Sequence, residues 1–396
     1  MRNLYHFLLS FLGALIYRFP SEKIKVFGVT GTNGKTTTVH ILSSILSEAG
    51  YSVASTSSVR FEINGEEKIN FLKMTMPGRF VIQKFLRDAV NAGCDYAIIE
   101  VSSEGVKQHL HRFINFHTAV ITNLSKEHIE SHGGFEKYKK AKGKFFKAVK
   151  ERHVLNLDDK YKDYFLSFPA EEKIGYSTKN KEAFLFIEEI KSSASGVFFG
   201  EYFLPLKGEF NAYNALAAMA VAFSEGVSKE AVKRALLKVN LVPGRMEEVI
   251  SSPFRVFVDY AVTPDALSFV YKTLRRDFSP QKMICVLGAC GGGRDKWKRP
   301  LLGEIANEMC DKVIVTNEDP YDEDEESIIS EVAPSGAEKI VDRKKAIERA
   351  VELAETGDLV IITGKGSEVW MCLANGEKIP WSDRDMVKEA FDNKGK

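Results

Sequence analysis

A strand that runs directly into a helix through a short glycine-containing turn constrains this chain most. The stretch is VFGVTGTNGKTTTVHILSSILSEAG, from Val26 to Gly50. Gly31 and Gly34 let a ligand approach the backbone, and the unpaired N–H groups at the start of a helix attract an anion. Lys35 adds a positive charge and the hydroxyl of Thr36 suits magnesium. The sequence therefore predicts a phosphate-binding loop for a nucleotide.

A plain polar turn is the competing interpretation of this stretch. The general eight-residue phosphate-loop pattern requires a glycine where this chain has Val29. The Gly-Lys-Thr sequence nevertheless stands between an apolar strand and an amphipathic helix, which favours the nucleotide.

Length and composition set the class of protein. A chain of 396 residues exceeds one ordinary hydrophobic core and predicts two domains. A net charge of +1 gives no support for nucleic-acid binding. The five cysteines lack metal-binding or disulfide spacing and indicate a reducing cytoplasm; they are Cys94, Cys285, Cys290, Cys310 and Cys372.

The N-terminal segment is unusually apolar. Residues Leu4–Tyr17 read LYHFLLSFLGALIY, which is shorter than the roughly 20 residues that cross a bilayer. No small-residue cleavage site follows, so a signal peptide is not predicted. We expect a helix that packs on the first domain, with interfacial membrane contact as the alternative.

Apolar strand-like runs alternate with helix-length segments, which predicts parallel sheets with crossover helices. The runs are KIKVFGVT, DYAIIEV, TAVITNL, RVFVDYA, KMICVLGAC, KVIVTNE and DLVIITG. The fold class is therefore α/β, with a phosphate-loop nucleotide-binding domain of mostly parallel sheet and a second, Rossmann-like α/β domain.

Domain boundaries follow from breaks in this pattern. Residues 154–206 have short alternating runs that indicate a meander or a sheet edge. Proline and glycine interrupt the chain at Asn240–Glu248. We expect an N-terminal apolar helix over 1–21, a nucleotide-binding domain over 22–242 and a second α/β domain over 243–396.

Three residues stand out as candidates for chemistry. Glu100 ends a buried strand, where a phosphate-loop protein holds magnesium, although a capping or ion-paired glutamate is the alternative. His128 lies in a polar loop and is a metal ligand or a solvated side chain. Lys142 belongs to a lysine-rich helix that reads otherwise as a solvated basic face.

Ten motifs in order resemble the Mur ligase family, closest to its UDP-N-acetylmuramoyl-tripeptide synthetase type. They are GTNGKTTT, EVSSEG, TNLSKEHIESHG, YKKAK, GEFNAYNALAA, VPGRME, DYAVTPDAL, GGGRDKWKRP, NEDPYDED and GKGSE, from about Val26 to Asp385. The resemblance implies an ATP-dependent amide ligase that adds an amino acid to a carboxylate of a cell-wall precursor peptide. An acyl phosphate forms on the way, and ADP and phosphate are released.

The resemblance also implies roles for individual residues. ATP contacts fall on Gly31, Thr32, Asn33, Gly34, Lys35, Thr36, Thr37, Asn211, Asn214, Arg245 and Asp259. The ligands implied for two Mg²⁺ ions are Thr36, Glu100, His128 and Lys142, with Lys142 as a carbamate. The implied catalytic residues are Lys35, Glu100, His128 and Lys142. Substrate contacts fall on Thr75, Ser102, Arg294, Asp319, Tyr321, Gly364 and Glu368.

Other interpretations stay open for three of the basic residues. In the alternative interpretation, Arg245 is a linker residue paired with Glu247. Lys298 and Arg299 are then surface charges or helix contacts. We expect the protein to be a cytoplasmic monomer whose partners are small molecules and not nucleic acid. Weak contact with a membrane or a partner through residues 4–17 is an additional expectation.

The sequence departs from the family mainly at substrate recognition. About 22 residues precede the first strand, where full-length relatives begin with a UDP-binding domain. The run Glu318–Tyr321 replaces an arginine-ending pattern associated with diaminopimelate, which favours lysine or another amino acid. Glu104 and Val262 replace histidines, as does Ser367, and Leu110 replaces an arginine that meets the acidic substrate.

Two alternative functions follow from these departures. One is a related ligase that acts on another acceptor, of the folylpolyglutamate or lipid-linked kind. The other is a nucleotide-binding scaffold without turnover, against which the joint presence of Lys35, Glu100, His128 and Lys142 speaks.

Overall fold

The computed structural model describes residues 2–395 as two compact units. The first comprises residues up to Lys126 together with Phe135–Asn240, and the second comprises Glu127–Gly134 together with Leu241 onward. The sequence predicts residues 127–134 within the first domain, whereas in the structure this segment belongs to the second unit. No helix among residues 2–395 is both long enough and apolar enough to cross a bilayer.

The first unit is built on a nine-stranded sheet in the order β4-β3-β2-β5-β1-β6-β7-β8-β9. The strands are β1 (Lys25–Thr30), β2 (Val53–Thr56), β3 (Arg60–Ile63), β4 (Glu66–Ile69), β5 (Tyr96–Glu100), β6 (Phe116–Ile121), β7 (Arg152–Asn156), β8 (Glu172–Ser177) and β9 (Leu185–Phe186). Strands β3 and β4 are antiparallel additions at one edge, and every other pairing is parallel. The parallel sheet predicted from the sequence is confirmed.

Residues 154–206 form both of the predicted alternatives, because β7, β8 and β9 run to the edge of the parallel sheet and a separate antiparallel meander follows β9. Its strands are β10 (Ile190–Ser193), β11 (Gly196–Phe199) and β12 (Tyr202–Leu204). The helices of the unit are α1 (Arg2–Ile16), α2 (Lys35–Glu48), α3 (Arg79–Asn91), α4 (Ser103–Lys107), α6 (Phe135–Ala148), α7 (Lys162–Leu166), α8 (Phe210–Ser224) and α9 (Lys229–Lys238), and α5 (Ile129–His132) belongs to the second unit.

The second unit has a six-stranded sheet in the order β13-β14-β18-β15-β16-β17. The strands are β13 (Glu247–Ile250), β14 (Arg255–Asp259), β15 (Met283–Leu287), β16 (Lys312–Val315), β17 (Glu338–Lys339) and β18 (Leu359–Thr363), and β19 (Trp370–Cys372) and β20 (Lys378–Pro380) form a hairpin. Only β13 pairs antiparallel within the six. This agrees with the Rossmann-like prediction.

Helices of the second unit begin where a polar side chain accepts a hydrogen bond from the first turn, which satisfies an otherwise unpaired N–H. Thr263, Asp324, Asp342 and Ser382 act in this way for α10 (Pro264–Phe278), α12 (Glu325–Val332), α13 (Arg343–Leu353) and α14 (Asp383–Lys394). The other helices described in this unit are α5 and α11 (Arg299–Met309). Valine and isoleucine of the central strands fill the core between the sheet and α13 and α14.

A buried ion pair fastens α13 to α14. The guanidinium of Arg343 donates to both carboxylate oxygens of Asp383, over 2.8 and 2.7 Å, and also to the carbonyl of Thr363. The indole of Trp381 donates to the same carboxylate. Both charged groups are nearly inaccessible to water, so each depends on the other for compensation.

We expect Asp383→Ala to destabilise the second unit by about 3–5 kcal/mol, because a buried guanidinium loses its counter-charge. Urea denaturation followed by circular dichroism measures the change. Glu389→Ala is the control, since it removes the solvent-exposed Lys344–Glu389 pair between the same two helices. Equal midpoints for the two variants would show that the buried pair contributes nothing.

Candidate active site

The loop after β1 is shaped by its glycines. Gly34 has a φ of 83° and caps α2, and a Cβ there would lie 2.1 Å from Oδ1 of Asn214. A Cβ on Gly31 would lie 1.8 Å from Oγ1 of Thr122. Neither position has room for a side chain, so the backbone of the loop packs closely against Thr122 and Asn214.

Side chains from the end of β6 hold this loop in place. Asn33 donates its N–H to Oδ1 of Asn123, whose Nδ2 donates back to the carbonyl of Asn33, each over 3.0 Å. The hydroxyl of Thr122 donates to the same carbonyl over 2.7 Å. The hydroxyl of Thr32 lies 3.0 Å from that of Tyr138 on α6. The loop is thus braced from two neighbouring elements before any ligand arrives.

Lys35 and Lys142 both reach the backbone of this loop. The Lys35 amine donates to the carbonyls of Gly31 and Thr32, over 3.1 and 2.9 Å. The Lys142 amine donates to the same Gly31 carbonyl over 2.7 Å and to Oγ1 of Thr30 over 3.3 Å. The two lysines predicted from the sequence are therefore brought together at the carboxyl end of β1.

Lys142 is buried, unlike the other lysines of α6. Burial lowers the pKa of its amine well below the usual value, the nearby Lys35 charge lowers it further, and Glu100 acts in the opposite direction. The prediction of a solvated basic face suits the other lysines of α6, but Lys142 is only 2% exposed and is the exception.

Glu100 faces the start of α2. Its Oε2 accepts hydrogen bonds from Oγ1 of Thr36 over 3.0 Å and from the N–H of Ser58 over 2.9 Å. This arrangement combines a carboxylate with two hydroxyl groups, which are the hard oxygen ligands that Mg²⁺ prefers. Ser58 was not predicted, because it reaches the site only through the fold of the β2–β3 connection.

Asn211 and Asn214 sit at the beginning of α8. Asn214 donates to Oδ1 of Asn211 over 2.9 Å, and Asn211 donates to the carbonyl of Lys207. The contact of Asn214 with the position of Gly34 brings this pair to the phosphate-binding loop. Thr37, also predicted, is buried in the first turn of α2.

The predicted contacts to the carboxylate substrate lie near α4. Oγ of Ser102 caps α4 by accepting the N–H of Gly105 over 3.1 Å. Thr75 is half-buried and precedes Met76, whose side chain fills the space beside Gly105. The structure thus places the chain around Thr75 next to the helix that Ser102 begins.

His128 belongs to the second unit, in the segment Glu127–Gly134. It precedes α5 with a φ of 55°, and its ring lies 6.4 Å from that of His132. The carboxylate of Asp295 accepts the N–H groups of Ile129 and Glu130, which fixes the start of α5.

Lys298 completes the attachment of this segment. Its amine donates to Oε1 of Glu127 over 2.7 Å, and both side chains are largely buried. Arg299 is buried as well and donates to Glu323 and Glu331. Neither basic residue is a surface charge. Arg299 contacts helix α12 through Glu331, whereas the partner of Lys298 lies in the segment before α5.

A network of polar groups in the second unit lies at the carboxyl ends of β14, β16 and β18, where open α/β sheets bind ligands. The buried Lys365 amine donates to Asp319 over 2.9 Å and to Glu368 over 2.8 Å. The Tyr260 hydroxyl donates to Glu368 over 3.4 Å. Lys365 and Tyr260 were not predicted, although both lie inside motifs that signalled the site.

Three further predicted residues border this network. Tyr321 has a φ of 51° and fills the space above Gly292. Gly364 has a φ of 111°, and a Cβ there would lie 2.3 Å from Oε2 of Glu318. Arg294 is exposed on the loop after β15, with its N–H directed to the carbonyl of Gly291.

Arg245 and Asp259 lie at the start of the second unit. The Arg245 guanidinium stacks 4.5 Å above the ring of Tyr260, whereas Glu247 pairs with Arg384. The linker interpretation of Arg245 as a partner of Glu247 is therefore wrong. Burial raises the pKa of Asp259 to about 6, against the lowering effect of Arg245.

The residues of the first unit fit Mg²⁺ and a nucleotide phosphate, by the chemistry of their donors. Within residues 2–395 no three histidine, cysteine, aspartate or glutamate side chains converge to form a closed metal site. Mg²⁺ is typically held by one or two protein carboxylates together with substrate phosphates, which matches Glu100 beside the loop.

Comparison with known proteins gives a consistent result. The family model described as Mur ligase middle domain matches residues 29–222, and that described as Mur ligase, glutamate ligase domain matches residues 244–366. The UDP-N-acetylmuramoyl-L-alanyl-D-glutamate--2,6-diaminopimelate ligase of Aquifex aeolicus (strain VF5) is 37% identical over 387 residues, which cover 95% of this chain and 79% of that protein.

Solved structures agree with this. A UDP-N-acetylmuramoyl-L-alanyl-D-glutamate--2,6-diaminopimelate ligase superimposes with a TM-score of 0.63 at 32% identity, covering 94% of this chain and 79% of the other. A Mycobacterium tuberculosis folylpolyglutamate synthase complexed with ADP and AMPPCP superimposes with a TM-score of 0.76 over 92% of both chains. Its identity of 20% shows a shared fold only.

We expect Gly34→Ala to abolish measurable binding of ADP, because the new methyl group displaces Asn214 from the loop. Isothermal titration calorimetry with ADP tests this. Gly50→Ala is the matched control, since it follows the same helix with a φ of 93° but has open space around its Cβ. Both variants carry the backbone strain of about 1–2 kcal/mol, so unchanged ADP binding by Gly34→Ala would refute the steric explanation.

Proposed function

Because the chain belongs to the Mur ligase family, we propose that it joins an amino acid to a carboxylate of a cell-wall precursor peptide. The energy comes from ATP, which is converted to ADP and phosphate. The protein is an ADP-forming ligase of acids and amino acids, and its substrates are small molecules.

The reaction proceeds in two transfers. A carboxylate oxygen attacks the γ-phosphorus of ATP, ADP leaves, and an acyl phosphate forms. The amine of the incoming amino acid then attacks the acyl carbon, the bond from that carbon to the phosphate oxygen breaks, and the nitrogen loses a proton. Enzymes accelerate the first transfer mainly by positioning and by neutralising charge on the phosphoryl group.

The observation that carries this proposal is the braced loop at the carboxyl end of β1. Gly31 and Gly34 let the loop pack closely against Thr122 and Asn214, Lys35 supplies a positive charge, and Glu100 lies against Thr36 at the start of α2. Asn211 and Asn214 are proposed contacts for the adenine side, and Arg245 and Asp259 are the proposed nucleotide contacts of the second unit.

Mur ligases use ATP and Mg²⁺ as a family trait, and we propose two ions here. Thr36 and Glu100 would hold one ion, and His128 and Lys142 would contribute to a second. Bound Mg²⁺ supplies Lewis-acid stabilisation of the phosphoryl charge. The proposed role of this chain's residues is to fix these oxygen donors close to the loop before substrates bind.

Lys142 is proposed to act as a carbamate. Its low amine pKa favours the neutral nucleophile, whose nitrogen adds to the carbon of CO₂ and releases a proton. The product is an anion with two hard oxygen donors, which suits Mg²⁺ far better than an ammonium. Burial and the nearby Lys35 charge therefore prepare this lysine for the modification.

Substrate recognition is proposed for both units. Thr75 and Ser102 would contact the acceptor carboxylate. In the second unit the amino acid would contact Arg294, Asp319, Tyr321, Gly364 and Glu368, of which arginine suits a carboxylate and the acidic residues suit an ammonium. We further propose that the protein works as a monomer in the cytoplasm, which its five free cysteines support.

Phosphate release from ATP tests the function. UDP-N-acetylmuramoyl-peptides are assayed in all combinations with 2,6-diaminopimelate, lysine and other amino acids. We expect release to require both an acceptor and an amino acid, with lysine preferred because Tyr321 cannot form the bidentate pair that arginine makes with a carboxylate. Release only with folate-type or lipid-linked acceptors supports the alternative ligase, and tight ATP binding without release supports the scaffold.

We expect Lys142→Ala to lower turnover at least roughly 100-fold, since an anion beside the transferring phosphoryl group is lost. Added bicarbonate should not restore this variant, whereas wild-type protein depleted of CO₂ should recover with bicarbonate. Lys140→Ala is the control, because Lys140 is an exposed lysine of the same helix. Full activity of Lys142→Ala would show that the carbamate assignment is wrong.

A further inference from the structure

Helix α1 presents its large apolar side chains outward. Leu4, Tyr5, Leu8, Leu12, Leu15 and Ile16 are each between 42% and 62% exposed. The small residues Ser10, Gly13 and Ala14 are the ones turned inward and buried. This is the reverse of a helix that faces water, where the apolar stripe covers the core.

The inward side of α1 is nevertheless well anchored. Phe7 packs edge-on against Phe113, with ring centroids 5.0 Å apart. Gly13 allows close contact with Phe80, the second residue of α3, and Arg87 of α3 donates to the carbonyl of Tyr17. The helix is thus held in place on the first unit, and its exposed stripe is a fixed surface.

The surroundings of this stripe are basic. Residues 2–23, 79–91 and 103–113, which form α1 and the segments that contact it, contain eight lysines and arginines and three acidic residues. The whole chain is almost neutral, with a net charge of +1. Helix α1 itself contains no acidic residue. Positive charge is therefore concentrated around the apolar stripe.

We propose that the stripe of α1 docks on an anionic phospholipid surface. An in-plane helix buries its apolar side chains at the boundary between headgroups and acyl chains, and flanking lysines and arginines pair with anionic headgroups. Both parts of that requirement are present: a continuous apolar face and a basic surround that includes the exposed residues Lys23, Lys107 and Arg112.

A second copy of the chain is a poorer occupant of this surface. A two-fold interface places the same patch of each copy against the other. The basic segments around α1 would then face one another and repel, whereas an anionic bilayer neutralises them. Charge complementarity thus favours the lipid surface.

Flotation of the 396-residue protein with vesicles tests the proposal. We expect binding to vesicles of phosphatidylcholine mixed with phosphatidylglycerol, weaker binding to phosphatidylcholine alone, and loss of the difference when salt rises from about 0.1 M to about 1 M. The variant L8Q/L12Q/L15Q should bind the mixed vesicles at least about tenfold more weakly. The variant K23Q/K107Q/R112Q should lose the preference for phosphatidylglycerol.

The matched control is L237Q/L241Q/L301Q, which changes three exposed leucines elsewhere in the chain and should bind like wild type. Circular dichroism confirms that each variant is folded. The proposal is overturned if wild type does not bind the mixed vesicles, or if the control loses binding as much as L8Q/L12Q/L15Q. It is also overturned if light scattering shows a dimer that only L8Q/L12Q/L15Q dissociates while vesicles bind none of the proteins.

Discussion

A lysine amine removed from water lies against the first carbonyl of the phosphate-binding loop, and the architecture of the first unit serves to keep it there. Lys142 reaches Gly31 because α6 lies directly on β1. That approach depends on Gly28, where a Cβ would lie 2.4 Å from the ring of Phe145. A glycine inside a strand is costly for the strand itself, but here it lets an aromatic residue of α6 seat the helix that carries the lysine.

In the second unit, side chains that lie far along the chain hold the segment Glu127–Gly134 in place. Asp295 accepts two N–H groups at the start of α5, and Lys298 pairs with the largely buried Glu127. A short helix of four residues has little stability of its own. The loop after β15 therefore helps to fix its position and the backbone conformation of His128.

The sequence predicts the elements of this protein better than it predicts contacts between remote loops. Seven strands, the loop at Gly31 and the special status of Lys142 follow from local pattern and from motif order. The attachment of residues 127–134 to Asp295 and Lys298 does not, because it joins segments more than 160 residues apart. Ser58 and Lys365 escaped prediction for the same reason, since only the folded chain brings them to Glu100 and Asp319.

Two departures from the family resemblance, Leu110 and Glu104, lie in or just after α4. Leu110 is 4% exposed and belongs to the hydrophobic core of the first unit. Glu104 pairs with Lys107 on its own helix. A charge at position 110 would be buried without a partner and costly, so an apolar residue suits this position.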